Sequence, residues 1–154
     1  MPGAESSPDH VSPPAVLRTG NATDVPGVLA LWVEAGAHPT STDDAAGVGG
    51  LVERDPEALL IAEIDGRMVG TVIAGWDGWR GNMYRLAVAP DVRRRGIGSA
   101  LVDGAERRFR ALGCRRVTAL VADADPGAVE FWTGVDYERY PMKRFVRTLV
   151  AVRG

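Results

Sequence analysis

The sequence predicts a single domain of the α+β (mixed α/β) class, with a central, mostly antiparallel mixed sheet of six to seven strands and about four flanking helices. Two β-rich runs, residues 59–64 and 68–76, are joined by Asp65-Gly66, the strongest short hairpin signal in the chain. Farther on, an amphipathic helical pattern at residues 97–112 lies between two strand-like runs. The length of 154 residues and the hydrophobic content of 45% fit one domain with a sizeable core.

The segment before this hairpin contains one predicted strand and two predicted helices. Residues 16–18 are expected to form the first strand, and Thr23 is expected to cap the first helix. The apolar positions of that helix follow helical spacing and are Val25, Val28, Leu29, Trp32 and Ala35. A loop over residues 36–42 then leads to a helix over residues 43–54, which Gly47, Gly49 and Gly50 weaken.

The segment after the hairpin supplies the remaining elements. A strand over residues 83–88 ends before Pro90, and the helix that begins at Ile97 ends at Gly113. The elements that follow are a strand, a short helix and one or two final strands, at residues 116–121, 126–133 and 137–149. No internal repeat or linker divides the chain.

Charge and cysteine content exclude several classes of function. Eighteen Lys and Arg against twenty Asp and Glu give a formal charge of -2, so no global field favours nucleic acid or an anionic membrane. Cys114 is the only cysteine, which excludes an intramolecular disulfide and a cysteine-based zinc cluster, and no metal is predicted. Residues 1–14 lack the pattern of a secretory signal and are expected to form a disordered tail before a domain at residues 15–154. A cytoplasmic location fits these features.

The stretch YRLAVAPDVRRRGIGSAL carries the clearest chemical signal, because a strand passes through a short arginine-rich turn into a helix. Gly96 and Gly98 lack a Cβ, so the backbone turns tightly and an anion is able to approach the amides of residues 95–99. A diphosphate bound there would satisfy orphan amides at the helix start and meet the side chains of Arg93, Arg94 and Arg95. A glycine-containing turn with solvated arginines is the alternative reading.

In this context the stretch closely resembles motif A of the GNAT superfamily of N-acetyltransferases, Gln/Arg-x-x-Gly-x-Gly/Ala, which Arg93, Gly96 and Gly98 match. The segment DPGAVEFWTGVDYE resembles the helix that follows in this family, and the resemblance covers roughly residues 15–149 in the right order of elements. The turn GWDGWRG also resembles an uncharacterised bacterial subgroup of the superfamily.

The resemblance implies a cofactor site for acetyl-CoA, the acyl donor of the superfamily. In GNAT enzymes strands 4 and 5 are splayed, and the pantetheine arm lies in the gap. Carried onto this chain, the pantetheine contacts fall at Leu86, Ala87 and Val88. The pyrophosphate contacts fall at Arg93, Arg94, Arg95, Gly96, Ile97, Gly98 and Ser99, and the following helix adds Asp125 and Trp132.

The resemblance also implies direct attack of a primary amine on the thioester, with the Val88 amide polarising the carbonyl. The tyrosine that usually protonates the departing thiolate aligns with Trp132, whose indole has no usable acidic proton. Tyr137, Tyr140, Tyr84 or water are the replacement candidates for this acid. For the base, Asn82 occupies a position where some members have glutamate, and the substitutes weighed are Asp77 and Glu63.

The acceptor is expected to be a small metabolite or a peptide or protein amine, and His38 lies in a loop that often lines the acceptor site in the superfamily. A noncatalytic acyl-CoA-binding module is the main alternative, because Trp132 replaces the usual acid. Nucleic-acid contact by the three consecutive arginines is disfavoured by the charge of -2. Homodimer formation stays open.

Overall fold

The protein is described here by a computed structural model that covers residues 14–37, 39–121 and 127–149. Most of the predicted N-terminal tail, His38 and Asp125 lie outside the described residues. Within them, the chain forms one open five-stranded sheet with helices packed on both of its faces. The predicted α+β class is therefore confirmed.

The sheet is mixed, and its strands follow one another in chain order. They are β1 (Val16–Thr19), β2 (Leu59–Ile64), β3 (Arg67–Trp76), β4 (Gly81–Val88) and β5 (Val117–Ala119). Neighbours among β1 to β4 are antiparallel, whereas β4 and β5 are parallel. The turn between β2 and β3 has positive φ at both Asp65 (50°) and Gly66 (77°), as the predicted two-residue hairpin requires.

Four α-helices accompany the sheet in the part of the chain that the structure describes. They are α1 (Val25–Glu34), α2 (Ala45–Arg54), α3 (Ile97–Ala111) and α4 (Ala128–Gly134). The predicted cap at Thr23 is wrong: Asn21 accepts a hydrogen bond from the Thr23 amide and caps a 3-10 turn, Ala22–Asp24, that leads into α1. At the far end of α3, Gly113 has φ 78°, as expected for a glycine that ends a helix. No helix among the described residues is long and apolar enough to cross a membrane.

Two apolar clusters lie on opposite faces of the sheet. On the α3 face, Leu101, Ala105 and Phe109 pack against β-strand residues that include Met83. On the α1/α2 face, Val28 and Trp32 of α1 and Val48 and Val52 of α2 pack against a second set of strand residues, Leu59, Ile61, Ile73 and Ala87. The two clusters together bury the central strands β2 and β3. Strand β4 therefore lies between this buried part of the sheet and the short edge strand β5.

The predicted strand count of six to seven is slightly too high, because no strand forms within residues 137–149. The composition of this segment is β-prone, but a strand also needs a hydrogen-bonded neighbour. In the described part of the chain the segment pairs with no strand, and Phe145 and Leu149 are 94% and 91% exposed. The available edge, β5, is only three residues long. Residues 137–149 therefore add no strand to the sheet.

Candidate active site in the gap between β4 and β5

A β-bulge interrupts β4 in the middle of the sheet. Ile73 of β3 lies opposite Tyr84 and Thr71 lies opposite Ala87, so one residue of β3 faces the two residues Arg85 and Leu86. Arg85 has φ 54°, a left-handed conformation that usually belongs to glycine at the first position of such a bulge. Holding a non-glycine residue there costs about 1–3 kcal/mol, so surrounding contacts must stabilise it.

The bulge changes which face of the sheet each β4 residue meets. Before it, Met83 packs on the α3 face. After it, Ala87 is 7% exposed on the α1/α2 face, while Leu86 and Val88 pack toward the α3 face. Simple alternation from Met83 would have put Ala87 on the α3 face and Leu86 on the other, so the bulge inverts the pattern.

A gap opens between β4 and β5 beyond Met83. The pairing of the two strands ends at Met83 and Ala119, with one further hydrogen bond from the Leu120 amide to the Met83 carbonyl at 3.2 Å. The predicted splaying of these strands is thus confirmed in the described residues. Within the described residues β4 has no strand neighbour on this side after Met83. Its outward backbone groups there are therefore open to a ligand, except the Val88 carbonyl, which accepts from Arg93 Nε at 3.3 Å.

The direction of the backbone N–H and C=O groups determines which residues of β4 face the gap. The Ala89 amide donates to the Val69 carbonyl of β3 at 2.8 Å, and Ala87 lies opposite Thr71 two positions earlier. Since backbone groups alternate in direction along an antiparallel pair, the groups of Leu86 and Val88 point away from β3 and into the gap. Those of Ala87 point to β3, so among the three predicted pantetheine contacts Ala87 is the one that does not face the gap.

Residues 93–99, the end of the loop after β4 together with the first turn of α3, are called here the anion loop. Gly96 is the N-cap of α3, has φ 78°, and has no atom within 4 Å of the place where a Cβ would stand. The amides of residues 95–99 have no hydrogen-bond acceptor within the described part of the chain. Unpaired first-turn amides at the positive end of a 15-residue helix form a ready anion site.

Gly98 has a different neighbour. A Cβ at this position would lie 3.1 and 3.2 Å from Cε2 and Cζ of Phe131 in α4. The missing Cβ therefore allows α4 to pack on the start of α3, a role that the sequence did not suggest. Ile97 is 4% exposed and anchors the loop in the α3-face core, whereas Ser99 is exposed.

The three consecutive arginines have different roles. Arg93 donates from Nη2 to the Ala35 carbonyl at the end of α1 (2.9 Å) and from Nε to the Val88 carbonyl (3.3 Å). Its guanidinium thus connects the anion loop to α1 and β4. Arg94, with φ 64°, and Arg95 are exposed. The two latter side chains are accordingly better placed than Arg93 to approach a bound anion.

Trp132 and Tyr137 form a small aromatic group with Phe131. The Trp132 ring makes edge contacts with Phe131 (5.2 Å between centroids) and Tyr137 (5.0 Å). The Tyr137 hydroxyl donates to Glu106 Oε2 of α3 at 2.7 Å. Burial, followed by the Glu106 carboxylate, raises the pKa of the Tyr137 hydroxyl above its ordinary value. Both effects hold the proton on Tyr137, which makes it a poor general acid.

The other two tyrosines lie at different ends of β4. The Arg116 guanidinium stands 5.3 Å from the Tyr140 ring, and the Arg116 carbonyl accepts from the amide of Gly81 at the start of β4. Six strand residues lie between Gly81 and Val88, a separation on the order of 20 Å. Tyr84 instead lies next to the bulge, is 38% exposed, and covers Gly75, where an added Cβ would be 3.2 Å from Tyr84 Cε2.

The predicted carboxylate bases are already engaged in the structure. Asp77 Oδ1 accepts from the amides of Trp79 (2.8 Å) and Arg80 (2.7 Å) in the β3–β4 turn. The Arg80 amide, followed by the Trp79 amide, lowers the pKa of the Asp77 carboxyl. Glu63 pairs with Arg18 between β2 and β1. Neither carboxylate faces the gap, and no group of three potential metal ligands occurs among the described residues.

Sequence reasoning missed the contacts that support the bulge. Arg85 pairs with Asp43, and the indole N–H of Trp32 donates to the Thr71 hydroxyl at 2.8 Å. That hydroxyl lies 3.4 Å from the Arg85 carbonyl, to which it donates. The only signal in the sequence was an arginine within an otherwise apolar strand pattern, which by itself predicts no partner.

Comparison with known proteins agrees with this architecture. The model of the acetyltransferase (GNAT) family matches residues 28–135. An acetyltransferase of Yersinia enterocolitica is 32% identical over 122 residues, which cover 79% of this chain and 86% of the relative. An acetyltransferase of Pectobacterium atrosepticum is 31% identical over the same length, with the same two shares covered. These relatives are bacterial, as the resemblance of the β3–β4 turn suggested.

Solved structures share the fold. The aminoglycoside N-acetyltransferase AAC(6')-Iy, solved in complex with CoA, has a TM-score of 0.69 at 21% identity, and the match covers 88% of this chain and 95% of that one. The PaiA N-acetyltransferase from Thermoplasma acidophilum, solved in complex with coenzyme A, has a TM-score of 0.75 at 14% identity, covering 84% and 92%. Taken with the family match and the bacterial relatives, the chain belongs to the GNAT family of acetyltransferases.

Proposed function

We propose that the protein transfers an acetyl group from acetyl-CoA to a primary amine, either a small metabolite or an amine of a peptide or protein. The observation that carries this proposal is the continuity of the gap with the anion loop. Outward backbone groups at Leu86 and Val88 are followed, a few residues later, by the unpaired amides of residues 95–99. A ligand with an amide-containing arm and a diphosphate matches both parts.

The residues present fit acetyl-CoA as substrate. Leu86 and Val88 would bond the amides of the pantetheine arm as an added strand does, and the first-turn amides of α3 would receive the diphosphate. Arg94 and Arg95 add charge-assisted contacts to the phosphates. Arg93 would stabilise the conformation of the loop, because its guanidinium donates hydrogen bonds to the carbonyls of Ala35 and Val88. Trp132, in α4, would form part of the wall of the pantetheine channel.

The thioester carbonyl would be polarised by the Val88 amide, which points into the gap. Of the tyrosines considered for returning a proton to sulfur, Tyr84 and water fit best, since Tyr137 is bonded to Glu106 and Tyr140 lies at the other end of β4. A primary amine with a pKa of roughly 10.4 must lose a proton before it attacks. Asp77 has a lowered pKa and serves poorly as that base, so we assign the deprotonation to water.

Amine acceptors are supported by what similar proteins are named for. One neighbour, an aminoglycoside acetyltransferase from an uncultured soil sample solved with sisomicin, has a TM-score of 0.69 at 17% identity. The loop over residues 36–44 and the β3–β4 turn, with Trp79 70% exposed, would choose among amines in this protein. An aminoglycoside or another aminosugar is therefore the first acceptor to screen.

The direct test combines calorimetry with CoA and a screen that follows thiol release from acetyl-CoA across a panel of amines. We expect micromolar binding and amine-dependent thiol release. The double variant Arg94→Gln/Arg95→Gln should bind CoA more weakly and with less dependence on salt. Arg107→Gln/Arg110→Gln, at exposed positions of α3, is the matched control and should bind as the wild type does. Absence of CoA binding in the wild type would refute the proposal.

A noncatalytic acyl-CoA-binding module is the second candidate. It is favoured by Trp132 at the position of the usual acid and by the hydrogen bond that holds the Tyr137 proton. CoA binding without thiol release for any amine in the panel would support this candidate instead. Turnover with even one amine would exclude it.

A further inference from the structure

The bulge in β4 is stabilised by a residue from outside the sheet. Arg85 Nε donates to Asp43 Oδ1 at 3.2 Å, and Arg85 Nη2 pairs with Asp43 Oδ2. The Asp43 and Arg85 side chains are only 10% and 22% exposed. The guanidinium also lies 5.7 Å from the centre of the Trp32 ring. An ion pair this shielded from water is stronger and more directional than one on the open surface.

Asp43 is itself fixed within the loop that precedes α2. Its Oδ2 accepts from the Thr40 amide at 2.7 Å and from the Thr40 hydroxyl at 3.1 Å, and the Asp43 amide donates to the Thr40 carbonyl. The carboxylate therefore closes a local turn and meets Arg85 in one arrangement. A contact between Asp43 and Arg85 thus connects the loop beside α2 to the strand that borders the gap.

The conformation of Arg85 decides which backbone groups reach the gap. With φ at 54°, residue 85 is the extra residue of the bulge, and Leu86 and Val88 point away from β3. If residue 85 returned to an ordinary extended conformation, the alternation of β4 would shift by one residue and Ala87 would point there instead. Arg85 has a Cβ, so the left-handed state depends on an outside partner.

We propose that Asp43 is a positioning residue: through Arg85 it holds the left-handed bulge that aims the Leu86 and Val88 amides into the gap. This inference rests on the proposed function, because those amides are the groups assigned to the pantetheine arm and the thioester. It makes the loop before α2 part of the apparatus that orients the acyl donor. In this role Asp43 acts through Arg85 and not by contact with the acyl donor.

The test compares three variants with a matched control by backbone amide NMR during titration with CoA. Asp43→Asn removes the charge, Arg85→Ala removes the partner but keeps a Cβ, and Arg85→Gly removes the partner together with the Cβ that disfavours positive φ. Asp24→Asn is the control, because Asp24 forms a comparably shielded pair with Arg18 of β1 (12% and 37% exposed), at the edge of the sheet opposite β5. CoA binding by the wild type is the reference for all four proteins.

In the wild type and the control, CoA should shift the amides of Leu86, Val88 and residues 96–99. In Asp43→Asn and Arg85→Ala, we expect the anion-loop shifts to persist while the shifts at Leu86 and Val88 are lost. With an active acceptor, kcat should fall about 10- to 100-fold while KM for acetyl-CoA changes less than about 3-fold. Arg85→Gly should recover the Leu86 and Val88 shifts and at least part of kcat, since glycine needs no partner to adopt the bulge.

The results separate this inference from the proposed function. If the wild type shows no CoA-dependent shifts, the proposed function fails and this inference fails with it. If the wild type responds and Asp43→Asn gives the same shifts at Leu86 and Val88, only the positioning role of Asp43 is overturned. Equal behaviour of Arg85→Ala and Arg85→Gly would likewise overturn it, because the two differ in the Cβ that the argument concerns.

Discussion

Replacing Gly96 by alanine offers a sharp test of the anion loop, because the same helix contains its own control. Gly96 and Gly113 stand at opposite ends of α3, both have φ 78°, and an added Cβ meets nothing within 4 Å at either site. The cost of alanine in the left-handed region, about 1–2 kcal/mol, is therefore equal at the two positions and free of any clash. Only Gly96 lies beside the predicted diphosphate.

The two variants should differ in whether this cost lowers the free energy of unfolding or the affinity for CoA. Gly113→Ala should lower the free energy of unfolding by about 1–2 kcal/mol and leave CoA affinity unchanged. The loop around Gly96 is exposed, so in Gly96→Ala it relaxes in the free protein and the strain reappears on binding. We expect CoA affinity to fall by roughly 5- to 30-fold, the equivalent of the same energy, with a smaller loss of stability.

The assay pairs urea unfolding, followed by tryptophan fluorescence, with calorimetric titration of CoA into each variant. Gly96→Asn should be intermediate, because asparagine tolerates positive φ better than alanine does. Wild-type affinity in Gly96→Ala would refute the assignment of the loop amides to the diphosphate. An equal loss of affinity in Gly113→Ala would show that the effect reports general stability rather than the loop.

Substitutions at three further positions address the aromatic group and the core. Tyr137→Phe should retain turnover but lose about 1.5 kcal/mol of unfolding free energy with the bond to Glu106. Because the fold raises the Tyr137 pKa, that contribution is complete below about pH 10 and disappears at higher pH, so unfolding curves of the two proteins should converge in alkali. Trp132→Phe should keep most turnover, and loss of thiol release with intact CoA binding would contradict this. Thr71→Val should cost about 1–3 kcal/mol in thermal or urea unfolding by orphaning the buried Trp32 N–H, whereas Thr71→Ser should cost less.

Local signals in the sequence were sufficient for most of the fold. The turn Asp65-Gly66 and the apolar spacing of α3 are determined by residues that lie next to one another in the chain, so they are readable without tertiary information. The anion loop was predictable for the same reason, since Gly96 marks the left-handed residue at which α3 begins. The strand count failed at residues 137–149, because β-propensity does not report whether a pairing edge is available.

Long-range contacts could not be predicted in this way. The pair of Asp43 and Arg85 spans 42 residues and that of Trp32 and Thr71 spans 39, and neither leaves a periodic trace. Gly98 illustrates the limit well. The motif correctly requires glycine there, but the structure gives a reason that the motif did not contain, namely the ring of Phe131 in α4.

The sequence predicts binding of the acyl donor better than it predicts proton transfer, because different kinds of group would perform these two tasks. The proposed donor site consists of backbone amides, and their direction depends on φ at a few positions that glycine or a bulge residue marks in the sequence. Where a side chain returns the proton to sulfur, the three candidate tyrosines cannot be ranked from the sequence and are distinguished only by their tertiary contacts. Tyr137 is held by Glu106 and Tyr140 lies beside Arg116, whereas Tyr84 lies on β4 next to the bulge. Because one left-handed residue, Arg85, lies between Tyr84 and the amides of Leu86 and Val88, the geometry of the bulge would govern both the polarisation of the thioester and the return of the proton.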